Sequence, residues 1–312
     1  MPRILLLLPT STYRAPDFVR AAARLGVDVV VGSEEAQALA AGMGDRAVVV
    51  PLDDPAVAAD AIVALDQRAA VDAVVAVDDR GVLAAATAGE RLGFPHNPPA
   101  AVAATRDKGS MRTALAEAEV PQPKFVVDAT ADFAYPWVMK PLDRSGSQGV
   151  IRVDDADAAR AAAARISAIA PGPVVVEEYV PGAEVAVEGL LRAGELELLA
   201  VFDKPDPLVG PYFEETIYVT PSRLDPKTLA RVQEVAARAC AAIGLVEGPV
   251  HAELRVDGDR VWVIEVAARS IGGLCARALR FGAGIALEEV ILRHALGMPL
   301  DGLARERAAS GV

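Results

Sequence analysis

The stretch WVMKPLDRSGSQGVIRV at residues 137–153 carries the strongest local signal in the sequence. Two short apolar runs, each typical of a β-strand, flank a loop whose small residues are Ser145, Gly146, Ser147 and Gly149. Glycines let backbone N–H groups approach an anion closely, and the serines add hydroxyl groups. Lys140 places a positive charge at the end of the first strand. The pattern predicts a flexible lid that closes over phosphates, and a solvated hairpin with a lysine at its edge is the alternative.

A second stretch, HAELRVDGDRVWVIEVAAR at residues 251–269, predicts an antiparallel hairpin that turns at Asp257–Asp259. This turn places Glu253 opposite Glu265 on the two strands. Two facing carboxylates among apolar residues repel each other unless they are protonated or bound to a metal. Mg²⁺ commonly binds through one or two carboxylates and substrate phosphates. The pair therefore predicts a Mg²⁺ site, with a solvent-facing pair of glutamates as the alternative.

Two further cations are candidates for the same site. Lys108 lies just inside a helix that Thr105 or Asp107 caps, so free N–H groups are expected beside it. Arg269 follows Glu265 by four residues and is suited to stabilise phosphoryl or acyl-phosphate charge. A solvated helix lysine and a surface ion pair are the respective alternatives.

Residues 1–95 alternate short apolar runs with alanine-rich stretches, which predicts a parallel sheet covered by helices. Strands are expected at 4–8, 27–31, 47–50 and 73–77, and helices at 16–25, 34–41, 54–68 and 81–92. Ligands bind such sheets at the carboxyl ends of the strands, which are here Pro9–Tyr13, Gly32–Ser33 and Asp78–Arg80. Neither GxGxxG after the first strand nor a Walker A loop is present.

The proline-rich segment 94–101 marks a boundary, and the pattern after it predicts an α+β body. Strands are expected at 125–127, 137–140, 150–153, 174–178, 185–191, 196–202, 215–220, 250–256 and 260–266. Helices are expected at 106–119, 156–168, 226–243, 276–281 and 285–296.

Composition excludes several classes of protein. A net charge of -12 and a pI near 4.8 argue against a nucleic-acid partner, because a polyphosphate would be repelled. Cys240 and Cys275 form no CxxC pair, so they are expected to be small buried residues. No apolar run approaches the roughly 18 residues of a membrane span. A cytoplasmic protein without a membrane partner is the resulting expectation.

Taken in order, these motifs resemble those of the ATP-grasp superfamily. The matching segments are Lys108, VMKP at 138–141, the glycine loop, EEYVPGAE at 177–184, HAEL at 251–254 and IEVAAR at 264–269. PTSTYRAPDF at 9–18, FDKPDP at 202–207 and PYFEETIYVTPSRL at 211–224 look like the carboxylate–amine (L-amino-acid) ligase branch. The resemblance implies an N-terminal parallel α/β domain at 1–95 and an ATP-grasp domain at 96–312. The latter would contain a small lid subdomain at about 121–178 and a C-terminal antiparallel α+β body.

The resemblance also implies roles for the matched residues. Lys108 and Lys140 would contact ATP phosphates, and Lys140 and Arg269 would be catalytic. The nucleoside would be held by Val138, Glu177, Glu178, Val180 and Glu184, with Glu184 on the ribose. Glu253 and Glu265 would bind Mg²⁺. Arg269 and Glu215 would contact the substrates, with Lys204 as a second candidate beside Glu215.

Three departures from the family pattern affect these expectations. Ala267 stands where the family usually has a metal-binding Asn, which puts a second Mg²⁺ in question. Tyr218 replaces the histidine typical three residues after the substrate glutamate. Amino-acid ligases commonly continue further, so an open acceptor site, or one completed by a partner in a homodimer, is expected. Of the three histidines His251 is the best placed, with a structural role favoured.

These features predict an ATP-dependent ligase that joins a small-molecule carboxylate to an amine through an acyl-phosphate, with ADP and phosphate released. One alternative is a carboxylase-type enzyme that acts through carboxyphosphate. The other is an ATP-binding sensor or partner subunit with weakened turnover, which Ala267 favours.

Overall fold

The first strands form a small parallel sheet. A computed structural model describes residues 1–36, 40–128, 131–214, 216–302, 304–306 and 309–312. The strands are β1 (Arg3–Leu7), β2 (Asp28–Ser33), β3 (Ala47–Val49) and β4 (Ala73–Ala76), in the order β3-β2-β1-β4. The helices are α1 (Ala15–Leu25), α2 (Ala40–Met43), α3 (Pro55–Arg68) and α4 (Val82–Leu92). The predicted parallel α/β region is confirmed.

Local chemistry explains these boundaries. Asp54 caps α3 by accepting a hydrogen bond from Val57 N, and left-handed glycines end α1 and α4 at Gly26 and Gly93. The helix expected at 34–41 is wrong at its start, because Glu34 is bent away to accept hydrogen bonds from Thr10 and Arg80. Residues 37–39 of that expected helix lie outside the described residues.

Two helices connect this sheet to the rest of the chain, α5 (Pro99–Arg106) and α6 (Lys108–Glu117). The helix expected at 106–119 is confirmed as α6, which is two residues shorter at each end, whereas α5 before it was not expected. Pro99 starts α5 at its first turn, where a missing N–H costs nothing. Asp107 then adopts an extended conformation and caps α6, with its side chain accepting a hydrogen bond from Ser110 N at 2.6 Å.

The lid is a separate four-stranded antiparallel sheet. It contains β5 (Phe125–Val127), β6 (Trp137–Pro141), β7 (Ile151–Val153) and β8 (Val174–Glu178), in the order β5-β8-β6-β7. Helix α7 (Ala156–Ile169) packs on one face through Ala162 and Ile166. The glycine loop joins β6 to β7, as predicted.

The body is a six-stranded sheet. Its strands are β9 (Ala183–Arg192), β10 (Glu195–Lys204), β11 (Val219–Thr220), β12 (Gly248–Asp257), β13 (Arg260–Ala267) and β16 (Ser310–Gly311), ordered β13-β12-β9-β10-β11-β16. Helix α8 (Pro226–Ile243) covers one face, and α9 (Leu287–Ala295) lies on the other side with the N-terminal strands. The remaining strands, β14 (Arg280–Phe281) and β15 (Ile285–Ala286), form a short hairpin.

The structure corrects two expectations in the body. A strand was expected at 215–220, but only Val219–Thr220 is extended into the sheet, and Glu215 lies outside the described residues. The helix expected at 276–281 is a 3₁₀ turn at Cys275–Ala278 followed by β14. Its hydrogen bonds span three residues, and the buried Phe281 then pairs with Ile285 across the hairpin.

The N-terminal sheet and the body share one hydrophobic core. Ile4, Leu6 and Phe18 from the first region pack in the same cluster as Ala186 and Phe202 from the body. The two regions therefore form a continuous packed unit around the site. Within the described part of the chain, no helix has the length and apolar character needed to cross a lipid bilayer.

Candidate active site

One cavity of about 500 Å³ lies where the N-terminal sheet, the lid and the body meet. Predicted site residues that line it are Lys108, Val138, Lys140, Ser145, Gly146, Ser147, Glu177, Glu178, Val180, Glu184, Glu253, Glu265 and Arg269. Thr12, Tyr13, Asp78 and Asp79 line it from the carboxyl ends of β1 and β4. Gly32 and Ser33, at the end of β2, do not. Most of the predicted residues therefore share a single space.

Gly149 and Lys204 lie outside this lining. Gly149 has a φ of 75°, and a Cβ at this position would lie 3.1 Å from Pro141 Cδ. Its role is thus to let the returning strand pack closely, whereas Gly146, with a φ of 62°, faces the cavity. Lys204 is buried behind the wall, where its Nζ lies 2.8 Å from both Glu184 Oε1 and Glu253 Oε1.

The Glu177 carboxylate is enclosed on the lid side of the cavity. Its Oε1 lies 2.8 Å from Arg112 Nε and its Oε2 lies 2.7 Å from Lys140 Nζ. Burial opposes ionisation, but these two cations lower the pKa of Glu177 to about 2. Each oxygen of this carboxylate therefore contacts a cation, and Lys140 is held in place at the cavity side of the lid.

Arg112 anchors this cluster to the body. It is wholly buried in α6 and donates hydrogen bonds to the carbonyls of Val263 and Ile264 at 2.9 and 2.7 Å. The sequence analysis did not single it out. The available signal was its position on the apolar face of α6, between Met111 and Leu115.

Glu253 and Glu265 face each other across the β12–β13 ladder, which confirms the predicted register. Glu253 lies beside Lys204 and its Oε1 is 3.6 Å from His251 Nε2. Burial disfavours the charged form, but Lys204 and His251 hold the pKa of Glu253 well below its usual range. Glu265 is nearest to Lys108, with 3.6 Å between its Oε1 and the lysine Nζ.

The chemistry of this pair fits Mg²⁺. Both carboxylates open onto the cavity, and Mg²⁺ uses one or two carboxylates while phosphates and water complete its octahedron. No cluster of three or more His, Cys, Asp or Glu side chains suited to a metal occurs among the described residues. Ala267, which lines the cavity opposite His251, supplies no further oxygen ligand from its side chain.

His251 joins two carboxylates on the same wall. Its Nδ1 lies 2.8 Å from Oε1 of the buried Glu188, and its Nε2 faces Glu253. Burial favours the neutral ring, but hydrogen bonds to Glu188 and Glu253 raise the pKa of His251 to about 9. The imidazolium thus compensates the negative charge of the wall.

Arg269 is oriented from the N-terminal sheet. Its Nε lies 2.9 Å from Asp79 Oδ2, and it donates a hydrogen bond to Ser270 O at 3.1 Å. Burial disfavours the guanidinium charge, but Asp79 outweighs this and raises the pKa of Arg269. Nearby, Tyr13 Oη accepts a hydrogen bond from Gly273 N, and Arg14 donates one to Ser270 Oγ at 2.8 Å. The first and last parts of the site are therefore linked directly.

Two family models match this chain. The ATP-grasp N-terminal domain covers residues 19–96, and the ATP-grasp domain covers residues 133–278. The chain belongs to the ATP-grasp family. The overall fold agrees, because the structure superposes on an L-amino acid ligase from Bacillus licheniformis with a TM-score of 0.83 and 26% identity. That match covers 100% of this chain and 79% of the ligase.

Curated relatives of this ATP-grasp chain include ligases. It is 27% identical to an alanine–anticapsin ligase of Bacillus subtilis over 239 residues, which is 66% of this chain and 50% of that protein. It is 30% identical to carnosine synthase 1 of Gallus gallus over 240 residues, covering 67% of this chain and 26% of that protein. The chain thus spans half or less of the length of these relatives.

The ATP-grasp site contains a second arginine, Arg255, that was not among the residues expected from the sequence. Arg255, only 3% exposed, lies 3.1 Å from Glu184 Oε2 through its Nε and donates to Val180 O at 2.9 Å through Nη1. It therefore fixes the segment expected to hold the nucleoside. A signal was present in the period-two alternation of β12, which places Arg255 on the same face as Glu253.

Proposed function

We propose that this ATP-grasp chain joins a carboxylate to an amine, forming an amide or peptide bond at the expense of ATP, with an amino acid as a substrate. The observation that carries the proposal is the single cavity that gathers Lys108, Lys140, Glu253, Glu265 and Arg269. The similarity to an L-amino acid ligase over the whole chain supports it.

The lid residues are suited to the nucleotide. Lys108, Lys140 and the 145–149 loop would hold phosphates, while Val138, the 177–180 segment and Glu184 would hold the nucleoside. Glu253 and Glu265 would hold Mg²⁺, which when bound neutralises phosphate charge and so favours phosphoryl transfer. The charge of these two carboxylates is now balanced by Lys204, Lys108 and His251. A bound metal would take over part of this charge compensation.

In the proposed reaction a substrate carboxylate is phosphorylated and the resulting acyl-phosphate is attacked by an amine. Lys140 and Arg269 would stabilise charge on the transferring phosphoryl group, and Arg269 would stabilise the tetrahedral oxyanion. The lid would exclude water, which otherwise hydrolyses an acyl-phosphate. Asp79 would act through Arg269 by fixing the direction of its guanidinium.

The substrate end of the site is proposed to include Glu215, Lys204 and Arg269. Glu215 lies outside the described residues, but its neighbours Thr216 and Tyr218 line the cavity. We also propose the division into 1–95 and 96–312, with a lid at about 121–178, and a homodimer as the assembly.

The test is an ADP-release screen over pairs of amino acids, with mass spectrometry of the products. The proposal expects ADP in proportion to a product whose mass is the sum of two substrates less one water. ADP release that requires bicarbonate and an amine, with a carboxylated product, would contradict the ligase proposal and favour the carboxyphosphate alternative.

Ala267 favours one other candidate, a nucleotide-binding sensor. Without the usual amide ligand, this site would bind ATP while turning it over weakly. Calorimetric ATP binding together with ADP release that no substrate pair stimulates would favour the sensor over the ligase.

A further inference from the structure

The segment at residues 205–214, here called the bridging loop, leaves β10 of the body and reaches the lid. Strand β7 is at the edge of the lid sheet, and the bridging loop pairs with this edge. Tyr212 forms an antiparallel bridge with Ile151, and Arg152 N donates a hydrogen bond to Pro211 O at 2.8 Å. A loop of the body thus extends the lid sheet by backbone pairing.

Arg152 fastens the bridging loop with its side chain. Its Nη1 donates a hydrogen bond to Val209 O at 2.9 Å, and its guanidinium lies 4.4 Å from the ring centroid of Tyr179. Gly210 passes so close that an added Cβ would lie 2.8 Å from Arg152 Cβ, and its φ of 93° also favours glycine. The loop is therefore packed tightly against this one side chain.

Arg255 fastens the same loop from the body. Its Nη2 donates a hydrogen bond to Leu208 O, while Nη1 and Nε contact Val180 O and Glu184. Its guanidinium lies 5.3 Å from the ring centroid of Tyr179 and 5.7 Å from that of Phe213. Both arginines therefore contact the bridging loop and Tyr179, which lies inside the 177–184 segment.

The bridging loop leads directly to the other end of the cavity. Phe213, Thr216 and Tyr218 line the cavity, and Thr216 Oγ1 donates a hydrogen bond to the Asp206 carboxylate. The bridging loop therefore connects the lid edge to cavity-lining residues on both sides of position 215. Its hydrogen bonds to Arg152 have ordinary lengths of 2.8–2.9 Å.

We propose that Arg152 and Arg255 are positioning residues that couple the nucleotide segment to the bridging loop, so that lid closure on a nucleotide places residues 205–214 and 216–218 for the second substrate. The identity of that substrate as an amine rests on the proposed function, whereas the coupling of lid and loop does not. Arg152 is the better residue to test, because Arg255 is buried and holds Glu184 as well.

The experiment is hydrogen exchange by mass spectrometry on the full chain, with and without the Mg²⁺ complex of a non-hydrolysable ATP analogue. In the wild type, the analogue should slow exchange about 10-fold or more both in the 143–149 loop and at amides 208–210 and 212–214. In Arg152→Met, the analogue should still slow the 143–149 loop but no longer slow the bridging loop. Slowing of the bridging loop that persists in Arg152→Met would overturn the proposal, as would its absence in the wild type.

Arg160→Met is the matched control, because Arg160 is an exposed lid arginine whose ion pair is with Asp157 on the same helix. It should behave as the wild type. Gly210→Val should push the bridging loop away from Arg152 while leaving that arginine in place, because the added Cβ would clash with Arg152 Cβ. The analogue should then slow exchange in the 143–149 loop but not in the bridging loop, as in Arg152→Met. Arg152→Lys should restore part of the protection, because an ammonium can donate to Val209 O without reproducing the planar stacking on Tyr179.

A kinetic measurement then separates this proposal from the proposed function. If the chain is a ligase, Arg152→Met should raise KM for the second substrate about 10-fold and leave KM for ATP within about 3-fold. A wild type that releases no ADP with any substrate pair, yet shows the exchange pattern above, would refute the ligase and retain the coupling.

Discussion

Among the carboxylates that line the cavity, Glu177 on the lid and the Glu253–Glu265 pair on the body have opposite surroundings. Glu177 on the lid has a side chain 2% exposed and is pinned between Arg112 and Lys140. Glu253 and Glu265 on the body have side chains 17% and 29% exposed and are balanced by Lys204, Lys108 and His251. One carboxylate is sealed in protein, and the other two open onto the space that a ligand would fill.

The difference in burial determines whether a carboxylate keeps its cationic partners or can exchange them for a metal ion. A buried carboxylate whose partners are fixed keeps them, because removing either leaves an uncompensated charge in a medium of low dielectric constant. Carboxylates at a cavity wall can exchange a lysine contact for a metal ion, because water and phosphate oxygens are available there to complete the coordination of the metal. Glu177 therefore orients Lys140, whereas the environment of Glu253 and Glu265 is consistent with the Mg²⁺ site proposed for them.

Glu177→Gln should have the largest effect on stability. It leaves Arg112 and Lys140 buried without their carboxylate and should lower the free energy of unfolding by about 3–5 kcal/mol. Denaturant unfolding measures this difference. The control is Glu178→Gln, the next residue of β8, which forms no ion pair within the described residues; an equal loss in both variants would contradict the comparison.

Glu265→Gln should affect turnover and leave stability nearly unchanged. Loss of one carboxylate from the proposed metal site should reduce ADP release at least about 100-fold. The melting temperature should stay within about 2 °C of the wild type, because Glu265 is partly exposed and its cation is 3.6 Å away. Glu197→Gln, an exposed body glutamate paired with Arg192, is the control. Full activity in Glu265→Gln would remove the metal assignment.

Protonation of His251, which lies between Glu188 and Glu253, should also make the stability of the protein depend on pH. Folding raises the pKa of His251 from 6.5 to about 9. Its ionisation therefore contributes fully to the free energy of unfolding below pH 6.5, and this contribution is lost as the pH rises through 9. The difference in unfolding free energy between wild type and His251→Gln should therefore shrink by about 1–3 kcal/mol between pH 6.5 and 9. Glu188→Gln removes the nearest partner of His251 and should weaken the same pH dependence. A difference that grows with pH would have the wrong sign.

Ala267→Asn should have the smallest effect. It restores an amide where ATP-grasp relatives typically carry one, beside two carboxylates that would already hold Mg²⁺. The Mg²⁺ concentration for half-maximal ADP release should fall about 2–5-fold, which corresponds to less than about 1 kcal/mol. A Mg²⁺ titration at saturating ATP measures this shift. No change would indicate that residue 267 does not reach the metal.

The strand pairing and the glycine loop were predictable because their signals are local. The Asp257–Gly258–Asp259 turn sets the approximate register of β12 and β13, and a β-bulge next to Glu253 then brings Glu265 opposite it, as expected. The buried ion pairs were not predictable in this way. Arg112 meets Glu177 across 65 residues of sequence and the Ile264 carbonyl across 152. The local signal at Arg112 is its position on the apolar face of α6, and this position does not identify either of its distant partners.

Segments that lack a regular local pattern were the hardest to predict. Helix α5 was missed because it begins at Pro99, in a segment that composition marks as a boundary. Asp107 was one of two expected caps, and it caps α6. The 205–214 segment has little regular structure because its backbone bonds go to Arg152, Arg255 and the lid edge. Those partners are distant in sequence, so the loop conformation is set by tertiary contacts.

The ion pair between Asp79 and Arg269 joins the N-terminal region to the body, so the chain cannot be divided between them without losing this contact. A cut near residue 96 would yield two pieces that each retain a sheet. Arg269, proposed to act on the reacting groups, would then lose Asp79, the carboxylate that orients it. Tyr13 and Arg14 would likewise be detached from Gly273 and Ser270. Separate fragments would therefore rebuild this site only by reassociating, because its contacts join both ends of the sequence.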